Sequence, residues 1–501
     1  MMNKKTTLVI LILSLVIFSS SINQAENQSI ENHNSFSNYE TTIHEYFTPS
    51  WIAGNTDVFG QYMGGTEILH LVGHQEKLFA ASGYWMDKPY AIDLKIRPWP
   101  GAQILRLDNS SSEWIVDFTL PGPSIRATAL ESIRFKTDGF GKQLNRTINL
   151  LVVGTQEIWG SGRVLIRNDI TSNWEMTTLG DSPEISNTIR AFIVYHDNIT
   201  GVDRLFAAAG MEGIVSGVYN SSSPGCIEWD TKLEIESLPV RPMGFAICNN
   251  QLYVSSKTSL YLRINGEHPS WKKVFTSNIV SPDKVTSAGG GIRGLTTISS
   301  PEYNTQSLLF FLNGRSIRVE PSNDYKEILE CKLQEMLSER LGQKVESVLG
   351  AYNDMVFLSS NEPNETLIFG VEIGLGYNGV IISGRPFYGN WDGGGWIVIR
   401  KNTYDYDLSR IDNGYGLSPA LVAVRTIEPS PFAKDEDTLY VGGFDCNYYS
   451  SRNTAWIYQG TQDIIHANSQ YYTSPADISI KDVVKRVSVL FSQILMKSIV
   501  S

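Results

Sequence analysis

The sequence predicts an all-β fold, a seven-bladed β-propeller, because a short pattern returns along the chain. Three observations support this prediction. An apolar strand of the type Leu-Phe-Ala-Ala-Ser recurs, a strand that begins with arginine precedes most copies, and a tryptophan follows several of them. The apolar copies occupy residues 78–82, 150–154, 205–210, 252–256, 308–312, 356–360 and 439–443.

The first strand of each repeat sets the number of blades. These strands are predicted to begin at His70, Arg126, Arg190, Arg241, Arg293, Val348 and Arg425. A blade of four short strands needs roughly 40 to 50 residues plus insertions, which fits the spacing of these starts. Six blades plus an insertion is the alternative, because the sixth repeat is the least regular.

Later strands of each repeat follow a common order. In the first repeat, residues 103–107 form a third strand, a polar turn follows, and Trp114 begins the fourth strand. Trp174, Trp229 and Trp271 occupy the corresponding places in the next three repeats. A tryptophan at a recurring place is typical of packing between blades.

Two segments break the strand pattern. Residues 324–341 carry apolar side chains at helical spacing and predict a helical insertion. Residues 482–500 carry a second apolar stripe and predict a C-terminal helix, which docks on its own domain, pairs with a partner or lies on a membrane surface. The predicted domains are a β-propeller over 46–470 and a helical tail over 471–501.

The amino end resembles an export signal. Lys4 and Lys5 precede an apolar run over residues 8–18, and three serines follow it. We expect a signal peptide over 1–21 and a flexible polar leader over 22–45, with an uncleaved anchor as the alternative. The predicted location is therefore secreted or extracytoplasmic, with membrane contact through the C-terminal helix or an uncleaved signal. Six glycosylation sequons fit a secretory route: Asn27, Asn109, Asn145, Asn198, Asn220 and Asn364.

Composition limits the kinds of partner. The net charge of -11 argues against nucleic-acid binding, which normally needs a basic surface. Four cysteines are too few for a disulfide-dense scaffold. Cys226 and Cys248 either pair with each other or remain buried thiols. Neither a cofactor motif nor a metal motif is visible, and a metal site at His70 and His74 would need carboxylates from elsewhere.

One stretch resembles a known repeat. Residues 100–114 place a strand before an acidic, serine-rich turn and then Trp114. This run resembles the repeat of kelch-like and sialidase-like (Asp-box) secreted propellers, although the usual glycine before the tryptophan is missing. The resemblance implies a propeller over roughly 46–460. By analogy with sialidases it also implies action on acidic glycans, which would require a central tyrosine–glutamate pair.

The recurring arginines are the main candidate site. In a propeller the first strands line a central channel, so equivalent positions form a ring. Five guanidinium groups at one channel mouth would bind carboxylate, sulfate or phosphate groups. The alternative is that each arginine pairs with an acid or carbonyl of the neighbouring blade. The proposed ligand-binding residues are Arg126, Arg190, Arg241, Arg293 and Arg425.

Other candidate residues are less specific. Trp391 and Trp396 flank a glycine-rich loop and predict either a long hairpin turn or a platform on which a sugar stacks at the rim. The carboxylates nearest to strand ends are Glu131, Glu302, Glu428 and Asp445, and no catalytic residue can be assigned among them.

Three functions remain open from the sequence. The first is a non-catalytic exported propeller that binds an anionic small molecule, a glycan or a protein partner. The second is a glycoside hydrolase or polysaccharide lyase that acts on acidic glycans. The third is a cell-surface adhesion or scaffold protein.

Overall fold

A computed structural model describes residues between 47 and 461, apart from 86–100, 181–187, 286–290, 361–364, 376–380, 387–394, 412–420, 445–452 and some shorter gaps. The predicted all-β fold is confirmed, since the described residues form 33 strands and a single α-helix. None of the described helices is long and apolar enough to cross a membrane. The predicted signal peptide, leader and C-terminal helix lie outside the described residues.

The described strands begin with a short amino-terminal segment. It contains β1 (Thr48–Ile52) and a hairpin of β2 (Asn55–Thr56) and β3 (Tyr62–Met63). Asp57 in the hairpin turn accepts hydrogen bonds from the backbone N–H groups of Phe59 and Gln61, which favours a tight turn.

Apart from two short hairpins, the described strands form five antiparallel sheets, which we divide into seven groups numbered in chain order. Groups 1 and 2 join in one sheet through a pairing of Gly83 with Arg126. Group 1 contains β4 (Glu67–His74), β5 (Lys77–Gly83), β6 (Gln103–Leu107) and β7 (Ile115–Thr119). Group 2 contains β8 (Ser124–Thr137), β9 (Gln143–Glu157), β10 (Arg163–Asn168) and β11 (Asn173–Thr178).

Groups 3 to 5 are separate sheets of four antiparallel strands each among the described residues. Group 3 contains β12 (Phe192–Asp197), β13 (Val202–Ala209), β14 (Gly213–Tyr219) and β15 (Ile227–Trp229). Group 4 contains β16 (Phe245–Cys248), β17 (Gln251–Ser256), β18 (Ser259–Ile264) and β19 (Ser270–Thr276). Group 5 contains β20 (Arg293–Ser299), β21 (Gln306–Leu312), β22 (Arg315–Glu320) and β23 (Lys326–Cys331), and the helix α1 (Leu333–Leu341) follows it.

Group 6 has an interrupted first strand. Both β24 (Ser347–Gly350) and β25 (Val356–Ser359) pair with β26 (Thr366–Gly374). The short hairpin of β27 (Ile381–Ile382) and β28 (Arg385–Pro386) follows, and the group ends with β29 (Gly395–Asn402) and β30 (Asp405–Ile411). The regular first strand predicted near Val348 is therefore split into two pieces.

Group 7 takes its outer strand from the amino end. It contains β31 (Ala423–Pro429), β32 (Thr438–Phe444) and β33 (Ala455–Thr461), and β1 pairs antiparallel with β33 as the fourth strand. Group 7 also packs against group 1, since Tyr440 and Ile457 share an apolar core with Ile68 and Leu78. The two ends of the described fold are thus joined both by backbone pairing and by side-chain packing.

The recurring tryptophans bridge successive groups, as the sequence predicts. The Trp174 indole N–H donates to Asp117 Oδ2 at 2.8 Å, and the Trp271 indole N–H donates to Glu234 Oε2 at 3.0 Å. Each of these two carboxylates also accepts from an arginine of the later group, Arg167 or Arg263. A buried carboxylate shared by a guanidinium and an indole satisfies all three polar groups at once, so this contact is a repeated link between groups.

The predicted helix over 324–341 is only partly correct. Its first half is the strand β23, and only Leu333–Leu341 is helical. Ile328 and Glu330 both point inward from β23, and Glu330 is buried against Arg318 and Arg400. A prediction from sequence periodicity assigns a glutamate to an exposed face. A strand that buries a glutamate beside arginines is therefore mistaken for an amphipathic helix.

The cysteines are thiols wherever they are described. Cys226, Cys248 and Cys331 are free, so the alternative of a disulfide between Cys226 and Cys248 is wrong. Burial raises the pKa of Cys248 to about 12, as expected for a thiol in an apolar core.

Candidate functional site

The five predicted arginines meet around one phenol ring. Arg126 and Arg425 lie near the starts of β8 and β31, and Arg293 is the first residue of β20. Arg190 and Arg241 precede β12 and β16. The ring belongs to Tyr352, which the sequence did not single out. We call these six residues, together with Glu67 and Glu372, the arginine cluster.

Contacts to Tyr352 hold the cluster together. The guanidinium carbons of Arg425, Arg293 and Arg190 lie 3.8, 4.4 and 5.1 Å from the centroid of its ring. Cations at these distances are attracted to the negative face of an aromatic ring. Arg126 Nη2 donates to the phenol oxygen at 2.9 Å. Burial lowers the pKa of Arg241, and the negative charge of an ionised Tyr352 partly opposes this effect, so Arg241 also lies close to the phenol.

Tyr352 reaches the cluster because the first strand of group 6 is interrupted. Ala351, just after β24, has a positive φ of 44°, and the following residues leave the sheet. Asn353 then bridges two other groups, since its amide nitrogen donates to Leu69 O in β4 and its oxygen accepts from Arg190. The irregular sixth repeat thus supplies the segment that crosses between the first strands.

Two carboxylates belong to the cluster. Glu67, the first residue of β4, pairs with Arg126, whose Nε lies 2.9 Å from Glu67 Oε1. Glu372 on β26 pairs with Arg425, whose Nη2 lies 3.0 Å from Glu372 Oε2. Burial raises the pKa of Glu372, although the charges of Arg425 and Arg293 partly oppose this effect. These pairs are the acid contacts that the alternative interpretation of the arginines predicted.

Unlike Arg126 and Arg425, Arg190 and Arg241 form no ion pair with a carboxylate of the described residues. Arg190 donates to Thr128 O at 3.5 Å and to Asn353 Oδ1 at 3.3 Å, and both acceptors are neutral. The Nε atoms of Arg190 and Arg241 are buried and have no hydrogen-bond acceptor within the described part of the chain. A buried donor without an acceptor costs about 1–3 kcal/mol, and more when it is charged.

The pKa values of these arginines reflect the same excess of positive charge. Burial, together with the charges of Arg241, Arg126 and Arg293, lowers the pKa of Arg190 to about 9, although the charge of Tyr352 opposes this effect. Burial and the neighbouring Arg425 and Arg241 lower the pKa of Arg293 to about 10. Both guanidinium groups remain charged at neutral pH.

The pKa values of Tyr352 and His70 are both lowered in this field, which favours the charged form of the phenol and the neutral form of the imidazole. Burial alone would raise the pKa of Tyr352, but the charges of Arg126, Arg190 and Arg425 outweigh it and hold this pKa well below its ordinary value. Burial, together with the charges of Arg190 and Arg126, lowers the pKa of His70 to about 3. His70 is therefore neutral, and its ring nitrogen is hydrogen-bonded to Thr128 O at 3.0 Å.

β-Bulges aim the cluster side chains. Register shifts occur between Ser124 and Arg126, between Arg293 and Thr296, and between Val424 and Thr426. An extra residue in one strand redirects its side chain, and bulges are frequent next to functional sites. Strict alternation along a strand therefore does not predict which way these arginines point.

The predicted rim platform is wrong for one of its two residues. Trp396 is 1% exposed on β29 and packs in the core beside Val371 and Leu408, so it presents no face to a sugar. The first six residues of β29 are all buried, so its tryptophan lies in the core whichever face of the sheet it occupies. Trp391 and Asp445 lie outside the described residues.

The carboxylates proposed from sequence make other contacts. Glu302 pairs with Arg318, and Glu428 accepts from the Gly73 N–H. His74 is hydrogen-bonded to Ser132 and Asp169 rather than paired with His70. Within the described ranges, no three His, Cys, Asp or Glu side chains are placed to hold a metal ion. The acids and the tyrosine of the cluster had no local signal, since they lie outside the repeated arginine positions.

The chemistry open to the cluster is the recognition of negative charge. Guanidinium groups form strong, directional hydrogen bonds to carboxylate, sulfate and phosphate oxygens. Low local dielectric strengthens these bonds because the cluster is buried. Tyr352 adds a flat aromatic surface and a phenol oxygen at the same place.

Comparisons with known proteins identify weak structural likenesses. No family model matches the chain, and no curated protein matches its sequence. A crystal structure of BBS1N in complex with ARL6DN is 14% identical, with a TM-score of 0.35, and the match covers 63% of this chain and 78% of that one. A putative gluconolactonase is 11% identical, with a TM-score of 0.32, and the match covers 64% of this chain and 90% of that one. The functional argument therefore depends on the arginine cluster.

Proposed function

We propose that this chain is an exported seven-bladed β-propeller that binds an anionic group at the arginine cluster without chemical turnover. The ligand is a small molecule or a glycan that carries a carboxylate, sulfate or phosphate. The amino-terminal signal predicted from sequence supports export, and the kelch-like and Asp-box resemblance agrees with a secreted propeller.

The strand pairing supports the propeller part of this proposal. The seven antiparallel groups follow one another along the chain, as the blades of a propeller do. Pairing of β1 with β33 completes the last group with a strand from the other end of the described chain. Such a pairing closes a ring of sheets and removes the need for an open edge.

One observation carries the binding part. Five buried or partly buried guanidinium groups surround Tyr352, and the carboxylates paired with them are Glu67 and Glu372. Arg190 and Arg241 have Nε donors that no described acceptor satisfies. A bound anion would supply both the missing acceptors and the missing negative charge.

A binding measurement tests this proposal. Sulfate, inorganic phosphate and an oligomeric uronic acid are titrated into the purified protein by calorimetry and by thermal shift. We expect at least one of them to bind. We expect Arg241→Met to weaken that binding by about 10- to 150-fold, the equivalent of one charge-assisted hydrogen bond. Arg241 is the better target because it is less buried than Arg190.

Arg134→Met is the matched control. Arg134 is exposed on β8, so this substitution removes the same charge from a different surface. Equal loss of affinity in both variants would mean that only net charge matters. If none of the three anions binds the parent protein, the proposed function is wrong.

A glycoside hydrolase or lyase is the second candidate. Arg126 Nη2 donates at 2.9 Å both to Glu67 Oε2 and to the Tyr352 phenol oxygen, so a carboxylate and a tyrosine share one guanidinium. Tyr352 and Glu67 are therefore the residues that we propose for the tyrosine–glutamate pair that the sialidase-like resemblance requires. Release of reducing ends from an acidic glycan by the parent protein, lost in Glu67→Gln, would support this candidate. Absence of turnover across sialylated, uronic and sulfated glycans would reject it.

A further inference from the structure

The arginine cluster contains a titratable group at its centre, and this position has a consequence for ligand binding. Tyr352 is 7% exposed, and guanidinium groups from β8, β20, β31 and the segments before β12 and β16 surround it. We propose that Tyr352 is held as a phenolate, the resident counter-ion of the cluster, and that it takes up one proton when a ligand anion binds. This inference rests on the proposed anion binding and names the residue that regulates it.

The geometry distinguishes an ionised from a neutral phenol. A neutral phenol needs an acceptor for its O–H, but the polar contact of the Tyr352 hydroxyl within the described residues is a donor, Arg126 Nη2, at 2.9 Å. A phenolate oxygen accepts such a bond and needs no acceptor of its own. Arg425, Arg293 and Arg190 also lie against the ring, where a negative charge strengthens their attraction.

Other ionisable groups do not remove the need for this charge. Glu67 and Glu372 are each within hydrogen-bonding distance of one arginine, and His70 is neutral because burial and Arg190 lower its pKa to about 3. The field of the surrounding arginines lowers the pKa of Tyr352, in agreement with the geometry. The charged and titratable groups around Tyr352 are Glu67 and His70 of β4, Arg126 of β8, Arg190, Arg241, Arg293 of β20, Glu372 of β26 and Arg425 of β31.

Anion binding changes the charge that Tyr352 has to balance. A ligand carboxylate or sulfate near Arg190 and Arg241 lowers the local positive potential and adds a repulsive negative charge beside the phenolate. Both effects raise the pKa of Tyr352. The phenolate then takes a proton from solvent to become a phenol, and no covalent bond to the ligand forms. The site thereby exchanges its internal anion for an external one.

The pH dependence follows from this exchange. At pH values where Tyr352 is ionised in the free protein, the binding of one anion is accompanied by the uptake of about one proton. The affinity for the anion therefore falls about tenfold for each unit by which the pH rises. Stability changes in the other direction. The folded pKa lies below the unfolded value of about 10, so the phenolate stabilises the fold above that unfolded value, and the stabilisation is lost as pH falls through the folded pKa.

Ultraviolet difference spectroscopy tests the proposal on the parent protein. The tyrosinate absorption band is recorded during a pH titration, and we expect one tyrosine to ionise well below the others. Tyr352→Phe should remove that early step, whereas Tyr404→Phe, at a residue 65% exposed, should retain it. Addition of the anion that binds in calorimetry should abolish the early band, and calorimetry in two buffers should register uptake of about one proton.

The outcomes separate this inference from the proposed function. If an anion binds but every tyrosine ionises near pH 10, Tyr352 is a neutral phenol and the inference is wrong, while the binding function stands. If the early band is present and persists when the anion is bound, the proton coupling is wrong. If no anion binds, the proposed function fails, and the coupling fails with it. The titration of the parent protein gives these answers even if Tyr352→Phe does not fold.

Discussion

Replacement of Glu330 by glutamine should destabilise the protein by about 3–5 kcal/mol, because it removes the charge that two buried cations, Arg318 and Arg400, share. Glu330 on β23 accepts from Arg318 Nε at 2.9 Å, from Arg400 Nε at 2.7 Å and from the Tyr406 hydroxyl at 2.7 Å. Its side chain and that of Arg318 are fully buried. Glutamine has nearly the same volume, so the loss would measure electrostatics rather than a cavity. Urea unfolding gives the change in free energy.

The control lies on the same arginine. Glu302 contacts Arg318 Nη2 at 3.3 Å, but its side chain is 38% exposed, and exposed ion pairs contribute about 0–1 kcal/mol. Glu302→Gln should therefore change the free energy of unfolding by less than about 1 kcal/mol. Similar losses in both variants would show that Glu330 is not the electrostatic centre of this network.

Replacement of Phe47 by alanine should destabilise the whole described fold by about 3–5 kcal/mol, the usual cost of deleting a buried phenylalanine ring. Phe47 immediately precedes β1, is 1% exposed, and packs with Ile368, Ile399 and Tyr458 of groups 6 and 7. It therefore fastens the amino-terminal strand to the last two groups. Thermal unfolding should show one transition at a lower temperature, because Phe47 packs in the core that groups 6 and 7 share.

Phe59→Ala supplies the matched comparison for this closure. Phe59 belongs to the same amino-terminal segment but is 71% exposed, so its removal should change stability by less than about 0.5 kcal/mol. Gly460→Ala tests the same contact from β33. An added Cβ would lie 2.7 Å from the Phe47 ring and must displace it. An intact transition temperature in both Phe47→Ala and Gly460→Ala would mean that β1 does not hold the described fold together.

Much of the fold is readable from the sequence because its signals are local. The apolar strand and the tryptophan that follows it lie close together within each repeat, so each repeat can be recognised from its own residues. The tryptophan links through Asp117 and Glu234 agree with the packing predicted for Trp174 and Trp271. The prediction fails over β23, because the buried Glu330 on that strand depends on Arg318 and on Arg400, 70 residues further along the chain.

Five of the eight residues of the arginine cluster are readable for the same reason. The five arginines occupy equivalent places in their repeats, so the sequence indicates that they converge. Tyr352 falls in the repeat with the interrupted first strand, and Glu372 lies on a second strand. Glu67 precedes the position at which the first strand was predicted to begin. None of these three has a repeated position that would mark it.

The amino-acid sequence by itself determined the all-β class and the repeated first strands with their arginines, since these depend on residues close together in the chain. Only the tertiary structure decided that Trp396 is core, that β1 pairs with β33, and that Tyr352 lies among the five guanidinium groups. Each of these depends on contacts between residues far apart in sequence. Their free energy comes from burial and charge compensation, which arise when the sheets come together.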